Sequence, residues 1–190
     1  MPKSLRGNFL IAAKSLRDPN FYKSVVLIVE HGDTGAMGLV INRPSEISLS
    51  RALKKHFDLP ETGDLIYVGG PVEENGMFIL HNAQEWSESE SPIVSGIFVG
   101  NSAEVFENIV QQSAEAESEI KFRVYSGCSG WSPGQLESEL SRNDWWTCPA
   151  EPELVFHADP YRVWDLALEQ FRRNNPLVPG ADIEGNAELN

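Results

Sequence analysis

Cysteine is scarce in this sequence. Two occur in 190 residues, Cys128 and Cys148, too few for a disulfide framework or a Cys-rich zinc module. No CxxC, HxH or HExxH spacing exists among them and the four histidines, so no metal ligand set is expected. Long apolar runs are also missing. Nothing approaches the about 18 residues that a membrane-spanning helix needs. Near the N-terminus only Phe9–Ala13 is apolar, too short for the core of a secretory signal. The expectation is a soluble cytoplasmic domain without a membrane partner. Nucleotide fingerprints are absent too: neither GxxxxGK[ST] nor GxGxxG occurs, and Val68-Gly69-Gly70-Pro71-Val72 reads as a tight turn. No cofactor is expected.

Positive charge is the next shortage. Fifteen Lys and Arg face 28 Asp and Glu, a net −13. The imbalance is uneven: residues 1–57 carry nine cations against four acids, and residues 58–190 carry six against twenty-four. Such a field repels phosphate backbones and disfavours a nucleic-acid partner. Arg43, Arg51, Lys54 and Lys55 form a local basic group, read as a solvated helix face beside a turn.

What is present is a strand-rich pattern. Asn8–Ala13, Ser24–Glu30 and Ala36–Asn42 have the β-branched, apolar character of strands. Val25–Val29 is almost continuously apolar, which predicts cover on both faces. Asp18-Pro19-Asn20 predicts an Asx-type turn, and His31–Gly35 a hairpin loop. Pro44 should end a strand, with Ser48 capping a short helix through Phe57. Leu65–Val68, Met77–Leu80, Ile93–Val99, Phe122–Tyr125, Trp145–Thr147 and Leu154–Phe156 are further strand candidates. Residues 82–92 read as a polar loop in which Trp86 alone wants burial. Helices are predicted after Asn101-Ser102, after Ser132-Pro133 with Gln135 closing a capping box, and after Asp159-Pro160. The strands do not alternate strictly with helices, so an α+β domain with a mostly antiparallel sheet is expected over residues 1–173. Residues 174–190 read as an acidic, disordered tail.

Three groups could carry chemistry. Cys128 lies in Ser126-Gly127-Cys128-Ser129-Gly130, where a following helix N-terminus could activate a thiol; a small buried cysteine in a turn explains it as well. His31 and His81 both end apolar strands. Gly130-Trp131-Ser132-Pro133-Gly134-Gln135-Leu136-Glu137 with Glu139 and Trp145 combines aromatics, an amide and acids. It suits either a pocket wall or a helix pinned to a sheet.

Taken in order, these motifs resemble the YqgE/AlgH family of uncharacterised bacterial proteins. The residues that carry the likeness are Gly7–Ala12, Asp18–Phe21, His31 with Gly35–Pro44, Gly69–Val72, Leu80-His81, Gly130-Trp131, Pro133–Glu137 and Glu139. The resemblance implies one α+β domain with a branched, partly barrel-like sheet surrounded by helices. It also brings a label, transcriptional regulator, that some members bear, and it supplies no catalytic, metal or ligand residues. Where this chain has Cys128 the relatives usually carry Tyr, which weakens any activity resting on that thiol.

The leading functional expectation is a non-enzymatic binding or regulatory module with a protein partner or small ligand. The alternatives are an enzyme with a site near His31, Asn42, Arg43, His81, Trp131 and Gln135, and a DNA-binding regulator using the basic N-terminal third.

Overall fold

The apolar run at Val25 is the centre from which the architecture grows. In the computed structural model, which describes residues 4–54, 63–87, 91–115 and 117–176, it forms strand β2 (Val25–Gly32). Successive side chains on a strand point to opposite faces. Accordingly Val25, Leu27 and Val29 enter one core cluster and Val26 and Ile28 another. Both faces are covered, as the composition of the run requires.

Nine strands and five helices occur among the described residues. The first half holds β1 (Asn8–Ala12), β2, β3 (Gly35–Val40), β4 (Pro44–Ser48), α1 (Leu49–Leu53), β5 (Leu65–Val68) and β6 (Val72–His81). The second holds β7 (Phe98–Gly100), α2 (Ala103–Ser113), β8 (Phe122–Trp131), α3 (Gln135–Ser141), β9 (Trp145–Pro149), α4 (Pro152–Val155) and α5 (Val163–Asn174). The sheet is open and branched, in the order β4-β5-β8-β3-β2-β1-β9, with β6 and β7 off this path. All pairs are antiparallel except β5 with β8, which run parallel through Ile66–Val124, Tyr67–Tyr125 and Val68–Ser126.

Strand β8 is the branch. Its first part pairs with β5 and β6, and its end pairs with β3 from Gly38–Ser129 to Ala36–Trp131. Gly127 sits at φ 72, where the strand changes neighbours, and a Cβ there would lie 2.7 Å from the Gly70 carbonyl. Gly70, at φ 152, in turn lies against the Cys128 carbonyl. The Gly69-Gly70 pair is thus a site of backbone-to-backbone approach, which a side chain would prevent.

Helices α4 and α5 cover one face of the β1-β2-β3-β9 arm, and α3 with Phe21 covers the other. Helix α2 packs on the β5-β6-β8 arm through Phe106, Ile109 and Val110. No helix among the described residues is long and apolar enough to cross a membrane.

Several local expectations are corrected. The predicted strand Phe122–Tyr125 runs on to Trp131, so Cys128 is a strand residue and not part of a turn before a helix. Ile93–Val99 is mostly a tight turn around Gly96 at φ 71, and the strand is Phe98–Gly100. Of the predicted strand Leu154–Phe156, Leu154 and Val155 fall in helix α4, which Pro152 opens at its first turn, and Phe156 caps it. Strand β3 does end before Pro44, but Pro44 itself begins edge strand β4, a position where its missing N–H costs nothing. Helix α3 begins at Gln135 because Gly134, at φ 76, breaks the turn before it. Helix α5 runs through Asn174, the first residue of the expected tail. Lys55, Phe57, residues 88–90 and residues 177–190 lie outside the described residues.

Candidate functional site

The six residues expected to form a site fall into three places. His31, Trp131 and Gln135 gather around α3. The His31 Nδ1 accepts from the Leu5 N–H at 3.1 Å, which leaves Nε2 to donate to Glu137 at 3.0 Å. Trp131 Nε1 and Trp145 Nε1 both donate to Glu139 Oε2 at 2.8 Å, and Gln135 Nε2 donates to Glu139 Oε1 at 2.9 Å. Gln135 Oε1 accepts from the Ser132 N–H at 3.1 Å, but the Gln135 N–H donates to the Ser132 carbonyl and not to its hydroxyl, so the expected capping box is only half made and lies before the helix. Phe21 stacks on Trp131 and meets Trp145 edge-on. Glu139 is therefore a clamp that fixes two indoles and an amide. Its carboxylate has few lone pairs left for a ligand.

Asn42 and Arg43 belong to a second place, the turn of Pro19–Ser24. Asn42 Oδ1 accepts from the Val25 N–H at 2.9 Å and its Nδ2 donates to the Lys23 carbonyl at 2.9 Å. The Arg43 guanidinium donates to the Asn20 and Tyr22 carbonyls and to Ser24 Oγ. Burial lowers its pKa, with Asp18 opposing. The turn itself is closed by Asp18 Oδ1, which accepts from the Asn20 N–H at 2.8 Å.

His81 is alone in the third place, paired between Phe98 and Phe122 and stacked on the Phe98 ring at 5.8 Å. It is 1% exposed and burial lowers its pKa, so it stays neutral there. The two thiols are equally shut away. Burial, seconded by Glu73, raises Cys128, and burial pushes Cys148 up to about 12. This is the opposite of an activated nucleophile. Among the described residues no three His, Cys, Asp or Glu side chains stand close enough to hold a metal ion.

Three clefts, of about 570, 440 and 170 Å³, are lined by other residues. The first opens at the N-terminal ends of the parallel pair β5 and β8. Leu49, Tyr67 and Phe156 give it apolar walls, and Asp64, Lys121 and Arg123 give it charge. Arg123 is the hub of this end of the sheet: its Nη1 donates to the Val155 carbonyl at 2.8 Å and Nη2 donates to the His157 carbonyl. The guanidinium lies 4.7 Å from the centre of the Tyr67 ring, a cation–π contact. Beneath it the Tyr125 hydroxyl is fully buried and faces Arg123 without closing a hydrogen bond of normal geometry. Burial raises both tyrosines, that of Tyr125 far above its usual range, and Arg123 opposes the shift in each. Nothing in the sequence singled out Arg123. Between Phe122 and Val124 it reads as an ordinary outward residue of a strand.

The sequence pattern of the AlgH-like family matches residues 9–175. The chain is 37% identical to a UPF0301 protein of Idiomarina loihiensis over 172 residues, covering 88% of this chain and 91% of the relative. It is equally 37% identical to a UPF0301 protein of Vibrio cholerae, with the same shares covered. The solution structure of the AlgH protein from Pseudomonas aeruginosa superimposes with a TM-score of 0.72 at 35% identity over 98% of each chain. A crystal structure of a Corynebacterium diphtheriae protein shares the fold, with a TM-score of 0.73 at 22% identity over 95% of this chain and 93% of that one. Pattern, identity and fold agree over almost the full length, and the chain belongs to the AlgH-like family.

Proposed function

We propose that this protein is a non-enzymatic, cytoplasmic binding module that takes a small ligand in the cleft beside Arg123 and acts in regulation through it. The observation that carries this reading is the 570 Å³ cleft, which offers an exposed ammonium at Lys121 beside the apolar walls of Leu49, Tyr67 and Phe156. Charged groups set beside aromatic and aliphatic walls in a hollow of this size suit a small ligand. The chemistry suits an anion with an apolar body. An enzyme built on His31, Asn42, Arg43, His81, Trp131 and Gln135 would need these groups at one spot, and each of the first three is engaged in bracing a turn or helix. Direct DNA binding is disfavoured by the net charge of −13.

A thermal-shift screen of metabolites grouped by charge tests the proposal. Anionic compounds with an apolar body should raise the melting temperature of the wild type and lose that effect in Lys121→Ala. A panel without any shift, or shifts that survive Lys121→Ala, would refute it.

A further inference from the structure

The side chains of Asn42 and Arg43 spend their hydrogen bonds on one short turn and the strand residue that follows it, and the residues that the turn presents are Tyr22 and Lys23. Lys23 has φ 49, a left-handed conformation uncommon for a residue with a side chain. Asn42 holds it there by binding the carbonyl of Lys23 and the N–H of Val25. Residues kept in such conformations by their surroundings point to function. Held this way, the Lys23 ammonium stands 5.3 Å from the Trp164 ring centre and 6.0 Å from that of Tyr22. Trp164 is itself fixed, its indole donating to the Ala12 carbonyl at 2.9 Å. Tyr22 is 66% exposed, so its ring is open to a ligand from the solvent side.

These groups form one wall of the 440 Å³ cleft, and α5 forms the other with Arg172. The guanidinium of Arg172 has no hydrogen bond or ion pair with any described residue, and its Nε is closed off from solvent without an acceptor. A guanidinium N–H that has given up water without gaining an acceptor is short of one, and the rest of this half-buried group stays open to a ligand. Lys14 adds a third cation to the cleft, and Asp165 and Glu169 line it without pairing within 4 Å to any of the three.

We infer that this cleft is an oxyanion site, in which Lys23 and Arg172 bind a phosphate or carboxylate group and Asn42 and Arg43 act as positioning residues that hold the turn. It is separate from the cleft beside Arg123. The test uses the full chain with two probes, inorganic pyrophosphate and citrate, followed by calorimetry and by the indole N–H resonance of Trp164. Either probe should bind at millimolar concentration or better and move that resonance. Pyrophosphate alone would mark a phosphate site, citrate alone a carboxylate site, and both an oxyanion site in general. Lys23→Gly removes the ammonium and accepts φ 49 without penalty, and Arg172→Gln removes the guanidinium. Each should weaken binding about tenfold or more, while Lys121→Ala should leave it unchanged. No binding of either probe, binding retained in Lys23→Gly or Arg172→Gln, or binding lost in Lys121→Ala would overturn the inference.

Discussion

Replacing Glu139 by Ala should be among the costliest single changes on the α3 face. The carboxylate accepts from Trp131, Trp145 and Gln135 at 2.8–2.9 Å. Trp131 and Trp145 are only 6% and 3% exposed, so their N–H groups gain little water when the acceptor goes. An unsatisfied buried donor costs about 1–3 kcal/mol. Two of them, reduced because Glu139 itself is half-buried, give about 2–4 kcal/mol. For a chain of this size that is a fall in Tm of about 5–12 °C. Glu139→Gln keeps one acceptor oxygen but turns a donor toward Gln135, and should cost about half as much. Urea unfolding followed by tryptophan fluorescence measures the free energy. Near-ultraviolet circular dichroism reports the pair directly, because the two indoles stand edge to face at 6.1 Å and 78°. A loss under about 1 kcal/mol in Glu139→Ala, with the dichroism unchanged, would refute the clamp.

Three further outcomes follow from the packing. His81 is neutral in the folded state because burial lowers its pKa. Below its unfolded value of about 6.5 the unfolded chain binds the extra proton, so stability falls with acidification by up to about 1.4 kcal/mol per pH unit. Unfolding curves from pH 7.5 to 5 should therefore be steeper in pH for wild type than for His81→Phe, and equal slopes would contradict the assignment. Both thiols are raised by burial, so a thiol reagent at pH 8 should label neither in the native protein and both in urea. Rapid native labelling of either would show that it is accessible. Gly70→Ala would drive a methyl into the Cys128 carbonyl at φ 152, and should cost about 3 kcal/mol or more; a soluble variant with unchanged Tm would refute the close approach.

The sequence made the β1-β2-β3 meander readable because Phe9–Ala12 and Val25–Val29 are apolar runs separated by turn residues with a fixed geometry. Strand β8 was harder. Gly127 and Gly130 look like turn punctuation, whereas one marks a kink and Gly69-Gly70 mark where another backbone passes close by. A single sequence does not distinguish those uses, since both need the missing side chain. The same holds for the site. Asn42, Arg43 and Trp131 were visible as unusual residues, but their partners, the Lys23 carbonyl, the Asn20 carbonyl and Glu139, are set by tertiary packing. Arg123 was invisible because its role arises from three carbonyls far away in the chain.

The branching of the sheet at β8 has a consequence for synthesis on the ribosome. β3, β5 and β6 all take β8 as a neighbour, yet β8 ends only at Trp131. Until that residue has cleared the exit tunnel, three strands carry open edges that invite wrong pairing. The nascent chain is most exposed to aggregation and to chaperone capture in that interval, and β9 with helices α4 and α5 completes the other arm only afterwards.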